Sequence, residues 1–546
     1  MVMRWIAGLV LAAGVPLAAH AMDDATLARI VDQRLAGDRT GACMAVAVVE
    51  ASSVARAYRC ADAADVGRIG ADTAFEIGSV SKTMTAALLA DLIVQGKASL
   101  DDPLHAYLPA GTHVPDFQGA RILLRHVVTH TSGLPALPSR MGGAGMEDPY
   151  AQLTEDALLA SLADVTLKAA PGSAFEYSNF ASMVLSYAVA RRAGMDFESL
   201  LLQRLFAPLG MQHAYVNQRP EGVRAAVGHT PDGKPTPGWR FATNLAGVGG
   251  VRATLDDMVA YVRGNLGLGS SAISPALALA QRKVNDQPPF AMNWALAQAA
   301  GRTVHMHEGG TGGFSSFVSV DREKGRGVVI LSDTTWNSIG SLGSLGLHLV
   351  DPAFPLGKPR TLAKPSQALL DGLVGEYQLQ GAMKMRLRQG DGTLFIQAEG
   401  QPEMAMGYDD AGDFFPLALD AVLAPRKRAN GEYVFTWHQM GAVIPATRLA
   451  PTGERVIPSA VPDAELQAYA GDYPLMPGFV LSVRARNGQL HAQATGQGEF
   501  PLEHTAADAF EAGAYGIEIL FTRDATGKVV ALELHQGGQV LKGVRK

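Results

Sequence analysis

Cysteine is nearly missing from this chain of 546 residues: there are only two, Cys43 and Cys60. A disulfide scaffold is therefore excluded, although a single bridge is not. A charge excess of the basic sign is missing too. The 52 acidic residues outnumber the 46 basic ones and leave a net charge of −6. A phosphate-binding face needs the opposite balance, so nucleic acid is not an expected partner. Beyond the N-terminus no apolar run reaches the roughly 18 residues of a membrane helix, so no membrane span is expected in the mature protein. There is no Gly-x-Ser-x-Gly elbow, no GxxxxGK[ST] phosphate loop, no Rossmann fingerprint and no HExxH. Their absence argues against an α/β-hydrolase, a P-loop enzyme, a dinucleotide enzyme and a zincin. No cofactor and no metal site are expected.

What is present suits a folded, exported protein. The chain is 47% hydrophobic, enough to bury sizeable cores. Arg4, the apolar stretch Trp5 to Leu17 and Ala19-His20-Ala21 read as a cleavable signal peptide over residues 1–21. The expected localisation is secretion, into the periplasm if the cell is Gram-negative. The runs Ala42–Val49 and Val54–Arg59 read as a hairpin around a polar turn. In the register that pairs Val49 with Val54, Cys43 lies opposite Cys60, and a bridge is expected.

Three textures follow. Residues 22–350 mix helical and strand-like patterns without a βαβ rhythm, which predicts an α+β domain. Helices are expected from Ser79 to about Gln95, from Asn179 to Arg192 and from Asp256 to Leu266. Residues 351–362 read as a linker, and short alternating runs follow. A second linker, 451–462, divides them into 363–450 and 463–546. These pieces repeat each other. Gly375, Tyr377, Gly392, Leu394, Gln397 and Ala398 match Gly471, Tyr473, Gly488, Leu490, Gln493 and Ala494 at an offset of 96. His438, Gln439, Gly441 and Arg448 match His535, Gln536, Gly538 and Arg545 at 97. Each copy has room for about eight strands, which predicts two small antiparallel β-barrels.

The chemistry concentrates in three places. Ser79-Val80-Ser81-Lys82 opens a helix, with serine and lysine on one face. A desolvated lysine can lose enough basicity to accept the seryl proton. Tyr177-Ser178-Asn179 offers a phenol for proton transfer and an amide for substrate binding. His307-Glu308-Gly309-Gly310-Thr311 puts a histidine on a strand, then glycines that let a substrate lie along the backbone.

Ser-x-x-Lys, Tyr-x-Asn and His-x-Gly in this order resemble the three motifs of the class C β-lactamase and DD-peptidase family of penicillin-recognising serine hydrolases. Thr129-His130-Thr131-Ser132-Gly133-Leu134-Pro135 and Gly249-Gly250-Val251-Arg252 resemble flanking segments of that family. The resemblance covers roughly residues 25–350. It implies a β-lactamase/transpeptidase-like domain, an antiparallel sheet flanked by helices. It implies Ser79 as nucleophile, Lys82 as its proton partner, Tyr177 as general base and acid, and Asn179 on the substrate amide. The oxyanion hole would be the N–H groups of Ser79 and Gly310. Class C β-lactamases carry Lys-Thr-Gly where this chain has His307-Glu308-Gly309. That departure points toward DD-carboxypeptidase-like, D-aminopeptidase-like and esterase members. The barrels resemble the two lipocalin-like barrels of D-aminopeptidase-type members, which help shape the pocket entrance.

The expected activity is an acyl-enzyme on Ser79 acting on a small-molecule or peptide substrate, such as peptidoglycan peptides or β-lactams. A carboxylesterase, or a non-catalytic sensor that keeps the pocket, are the alternatives. His307 or a barrel arginine is a candidate partner for a substrate carboxylate, Glu308 for a substrate ammonium, and Gly309 and Thr311 for the substrate backbone. An oligomer is possible. His305 and His307 face one way on their strand, yet no cluster completes a metal site. Trp294 suits pocket wall and core equally well.

Overall fold

The computed structural model describes residues 21–449 and 463–546, apart from 143–146, 231–232, 287–288, 300, 336–340, 380–383, 400–402, 418–420, 429–430, 440–441, 477–478, 487, 496–498, 507, 513–516, 525 and 537–538. The expected signal peptide, save its last residue, and the second linker lie outside the described residues.

Eight strands make the first sheet: β1 (Cys43–Glu50), β2 (Val54–Cys60), β3 (Asn285–Asp286), β4 (Pro289–Phe290), β5 (Ala295–Ala299), β6 (Arg302–Gly310), β7 (Ser315–Asp321) and β8 (Arg326–Ser332). Their order is β3-β4-β5-β6-β7-β8-β1-β2, and every pairing is antiparallel. The first strand of the sheet in sequence, β1, thus pairs with its last, β8, and β2 forms the edge beyond it. The expected hairpin register holds: Val49 pairs with Val54 and Cys43 with Cys60, and the two cysteines are disulfide-bonded.

Strand β1 is apolar from Cys43 to Val49 because helices cover both faces of the sheet. Side chains alternate between faces. Cys43, Ala45, Ala47 and Val49 join one core with α2 (Ser81–Val94), α3 (Asn179–Ala193) and α4 (Leu255–Leu266). Met44, Val46 and Val48 join a second core with α1 (Asp24–Leu35) and α5 (Ser341–Val350). Helix α2 is buried at every residue from Ser81 to Leu92, so it shows no apolar stripe. Among the described residues, no helix is long and apolar enough to cross a membrane.

The two C-terminal units each carry eight antiparallel strands, from Gly375–Leu379 to Ala442–Arg448 and from Gly471–Met476 to Gln539–Val544. The first is a closed barrel. Equivalent backbone bonds join the ends of both: Leu449 N–H to the Glu376 carbonyl at 2.7 Å, and Lys546 N–H to the Asp472 carbonyl at 2.9 Å. The repeated residues perform repeated tasks. Tyr377 donates to the Leu373 carbonyl and Tyr473 to the Tyr469 carbonyl, each at 2.8 Å. Arg448 clasps the Gly372 and Val374 carbonyls, and Arg545 those of Ala468 and Ala470. The linker is not loose: Arg360 pairs with the buried Asp409 of the first barrel at 2.7 Å.

Candidate functional site

Ser79 sits in the tight turn Gly78–Val80 that feeds directly into α2. Lys82 follows one helical turn later, fully buried. Its Nζ lies 2.8 Å from Ser79 Oγ and 2.8 Å from the Val248 carbonyl. Among the described residues no carboxylate compensates it, and burial pushes its pKa well below the usual lysine range. Asn293, left-handed at φ 54°, fixes this helical turn by donating to the Lys82 carbonyl at 3.0 Å.

The end of β6 packs backbone to backbone against the Ser79 turn. A Cβ on Gly309 would collide with the Ile77 carbonyl and the Ser316 hydroxyl. A Cβ on Gly78, at φ 49°, would fall 2.6 Å from Gly310 N. Glycine at both positions is what lets the two chains touch. Ser316 of β7 adds a bond to the Ile77 carbonyl at 2.7 Å.

His307 is fully buried. Its Nδ1 lies 2.6 Å from the Glu308 carbonyl oxygen, which can only accept. Nδ1 therefore carries the proton, and Nε2 is a buried acceptor without a partner among the described residues. Burial, reinforced by the nearby Lys82, drives the His307 pKa down to about 3. His130, in the turn before Ser132, likewise has its pKa pushed well below the usual histidine range by burial, then by Lys82 and His307. Its ring stacks on Tyr177 with centroids 4.3 Å apart.

Tyr177 comes just before the start of α3, whose cap is Ser178. The Lys82 nitrogen stands 5.0 Å from the Tyr177 ring centre. Burial pushes its phenol well above the usual tyrosine range, opposed by a hydrogen bond with Ser79. Asn179 opens the helix. Its Nδ2 donates to the Tyr150 hydroxyl at 3.3 Å, and its Oδ1 is buried without a partner among the described residues. Tyr150 stacks on Phe241 at 5.0 Å and meets Trp239 edge-on at 5.4 Å. Tyr150, Trp239 and Asn293 are residues that the motif reading misses. They lie outside the three motifs, and nothing local marks them.

Ser79, Lys82, Tyr177, His307, Gly309 and Gly310 thus come together, and Asn179 opens the helix that follows Tyr177. Glu308 does not. Alternation along β6 sends it to the opposite face, where the Ser341 hydroxyl donates to it at 3.1 Å. It is corrected as a candidate for a substrate ammonium. The lowered His307 pKa argues against a cationic role for it toward a substrate carboxylate. Thr311 is buried just past the strand, its N–H on the Phe314 carbonyl at 3.0 Å. His305 bonds the Gln281 carbonyl at 2.8 Å, and no metal-binding group of acidic, histidine or cysteine side chains occurs among the described residues. Trp294 is fully buried against Tyr261 and belongs to the core. Lys168 and Glu399 of the first barrel form an ion pair at 3.2 Å. Glu399 also helps burial raise the pKa of Glu176, the neighbour of Tyr177, while Lys168 opposes that shift. The first barrel therefore reaches the segment that carries Tyr177.

Residues 27–337 match the Beta-lactamase family, and residues 456–544 match a domain of unknown function, DUF3471. The D-alanyl-D-alanine-carboxypeptidase/endopeptidase AmpH of Escherichia coli (strain K12) is 33% identical over 192 residues, 35% of this chain and 49% of AmpH. The chain therefore spans about half the length of that relative. A beta-lactamase of Pseudomonas fluorescens is 28% identical over 307 residues, covering 48% of this chain and 80% of the relative. A solved class C beta-lactamase superposes with a TM-score of 0.51 at 21% identity, over 61% of this chain and 98% of that one, a likeness of fold.

Proposed function

The chain belongs to the Beta-lactamase family, and from that premise we propose that it is an exported serine hydrolase working through an acyl-enzyme on Ser79. One observation carries the reading: a buried lysine without a counter-charge, 2.8 Å from the seryl oxygen. As a neutral amine, Lys82 takes the Ser79 proton while Oγ attacks the substrate carbonyl. Tyr177, a neutral phenol in the free enzyme, relays that proton to the leaving group and later activates water. The N–H groups of Ser79 and Gly310 receive the oxyanion. The Asn179 carbonyl oxygen, buried and unpartnered, accepts from the substrate amide.

The substrate we propose is a peptide with D-residues, in keeping with the name of AmpH, or a related amide. A neutral His307 favours a second reading, hydrolysis of esters. An ester needs no cation to hold a carboxylate, and His307 supplies none at neutral pH.

The test is the intact mass of the purified protein after incubation with excess benzylpenicillin, together with the mass of the drug. An adduct lost in Ser79→Ala supports recognition of an acyl-D-Ala-D-Ala mimic. Drug consumed without an adduct means β-lactam turnover. No adduct and intact drug favours the ester reading, tested next with p-nitrophenyl esters. Hydrolysis that survives in Ser79→Ala overturns the mechanism, because loss of the nucleophile should cost about 10⁴-fold or more.

A further inference from the structure

Helix α1 carries one residue that its apolar pattern does not explain. Its buried positions are Leu27, Ala28, Val31, Arg34 and Leu35, the stripe that faces the sheet. The four apolar members belong to the second core. The fifth is an arginine, 0% exposed. A guanidinium presents five N–H donors. Among the described residues, none of the Arg34 nitrogens, Nε, Nη1 or Nη2, has a hydrogen-bond partner. Three other arginines with mostly buried side chains each hold a carboxylate: Arg326 holds Glu50, Arg360 holds Asp409 and Arg428 holds Glu511.

The charges near Arg34 do not compensate it. Asp38 is committed to its own loop, where it accepts from the Thr40 N–H at 3.1 Å, the Thr40 hydroxyl at 2.9 Å and the Ala42 N–H at 3.2 Å. Arg360 of the linker brings a second positive charge within electrostatic reach. Its carboxylate, Asp409, also accepts the N–H groups of Ala411 and Asp413 at 3.1 Å each. Burial lowers the Arg34 pKa to about 10, with Asp38 opposing and Arg360 adding to the fall. At neutral pH the guanidinium therefore keeps its charge.

A charge that is buried and unpaired is strongly destabilising, so the site asks for a counter-ion. A water molecule accepts one or two of the N–H bonds but leaves the charge uncancelled, and a second guanidinium nearby sharpens the need. Carboxylate, phosphate and sulfate carry the charge but need room for several heavy atoms beside a side chain that has no exposed surface. A monatomic anion brings a full charge in about the volume of one water molecule and accepts N–H bonds from any direction. We propose that Arg34 is the centre of a binding site for one halide ion, chloride under ordinary conditions, where α1 meets the linker to the first barrel. Phe354 and Leu356 of that linker already pack against the core that α1 helps to build. The ion offsets the charge of Arg34 and the field of Arg360, and Arg360 in turn grips the barrel through Asp409. It thereby strengthens the join between the catalytic domain and the first barrel.

The experiment follows the calorimetric midpoint of the full-length protein as chloride replaces gluconate at constant ionic strength. The midpoint should rise saturably, by about 3 °C at about ten times the dissociation constant. Arg34→Met keeps an unbranched apolar stem and removes the charge. It should show no such rise, and in gluconate alone it should melt above the parent, because it has no unpaired charge to bury. General salt effects act on both proteins, so the difference between their curves isolates the site. Crystals grown in bromide give a direct reading: an anomalous peak within hydrogen-bond distance of the Arg34 guanidinium is expected. If Arg34→Met fails to fold by circular dichroism, Arg34→Gln replaces it, and the bromide peak is read on the parent independently. Parallel chloride curves for parent and folded variant overturn the proposal. So do bromide peaks that all lie away from Arg34, since the guanidinium would then be served by water alone. Hydrolysis at Ser79 plays no part in these readouts.

Discussion

Burial of His307 without a counter-charge should make stability fall with acid in a way that one substitution can isolate. Its pKa drops from an ordinary 6.5 in the unfolded chain to about 3 in the folded one. Between those values the unfolded state binds a proton that the folded state refuses, so lowering the pH favours unfolding. At pH 7 both forms are mostly neutral and the penalty is near zero. At pH 5 it reaches about 2 kcal/mol, and it grows by about 1.4 kcal/mol per further unit until pH 3. His307→Asn removes the titration while keeping a donor near the Glu308 carbonyl. The variant should lose some stability at pH 7 through lost packing. Its deficit against the parent should shrink by about 2 kcal/mol at pH 5. For a domain of this size that is a relative gain of roughly 4 °C in the calorimetric midpoint. Parallel pH dependences of parent and variant would refute the reasoning, because they would mean that His307 titrates normally. The pH–rate profile supplies a companion readout. An ordinary histidine would be about three-quarters protonated at pH 6 and would impose a limb there. The depressed one should impose none. The acid limb should instead come from Lys82, with activity lost as falling pH protonates it.

Three other outcomes follow from the geometry. Gly309→Ala places a methyl against the Ile77 carbonyl and should push β6 off the Ser79 turn. Acylation by p-nitrophenyl acetate should slow on the order of 10²-fold with the circular dichroism spectrum retained; an unchanged rate would show that the contact is soft. Removing the Cys43–Cys60 bridge opens a loop with a sequence separation of 17. It should cost about 3 kcal/mol, seen as a lower calorimetric midpoint in Cys43→Ala/Cys60→Ala. Tyr150→Phe takes away the hydroxyl that receives Asn179 Nδ2. It should raise KM about fivefold while leaving kcat nearly intact, the effect of about 1 kcal/mol lost in positioning; a fall in kcat alone would contradict that role for Asn179.

Much of this was legible because it is local or periodic. The pairing of Cys43 with Cys60 follows from counting outward from a turn. The residues of α3 follow from its spacing, and the observed helix runs from Asn179 to Ala193. The duplication is a fixed offset, and the structure gives Arg448 and Arg545 the same clasp on the preceding helical turn. Even Glu308 could have been set aside from sequence. The alternation that turns His305 and His307 to one face turns Glu308 to the other.

What sequence could not supply is polarity. The motif lets a desolvated Lys82 be expected to lose basicity, but it does not say that Tyr177, His130 and His307 are dehydrated with it. Closing the sheet, α2 and the Tyr177 segment around them removes water from all four, and removal of water disfavours every charged form at once. The result is a cluster in which all four groups are displaced toward their uncharged forms. Trp294 and Tyr150 make the same point from the other side. Both are aromatic and both lack a motif, yet one is stacked in the core and the other bonds Asn179. Which of them serves the site depends on segments far apart in the chain. A substitution that rehydrates the cluster should therefore disturb catalysis as much as one that removes a named group. Phe290, whose ring meets His130 edge-on at 6.0 Å, is the place to try it: Phe290→Ser should raise the pKa values of Lys82 and His307 together and shift the acid limb of the rate profile upward.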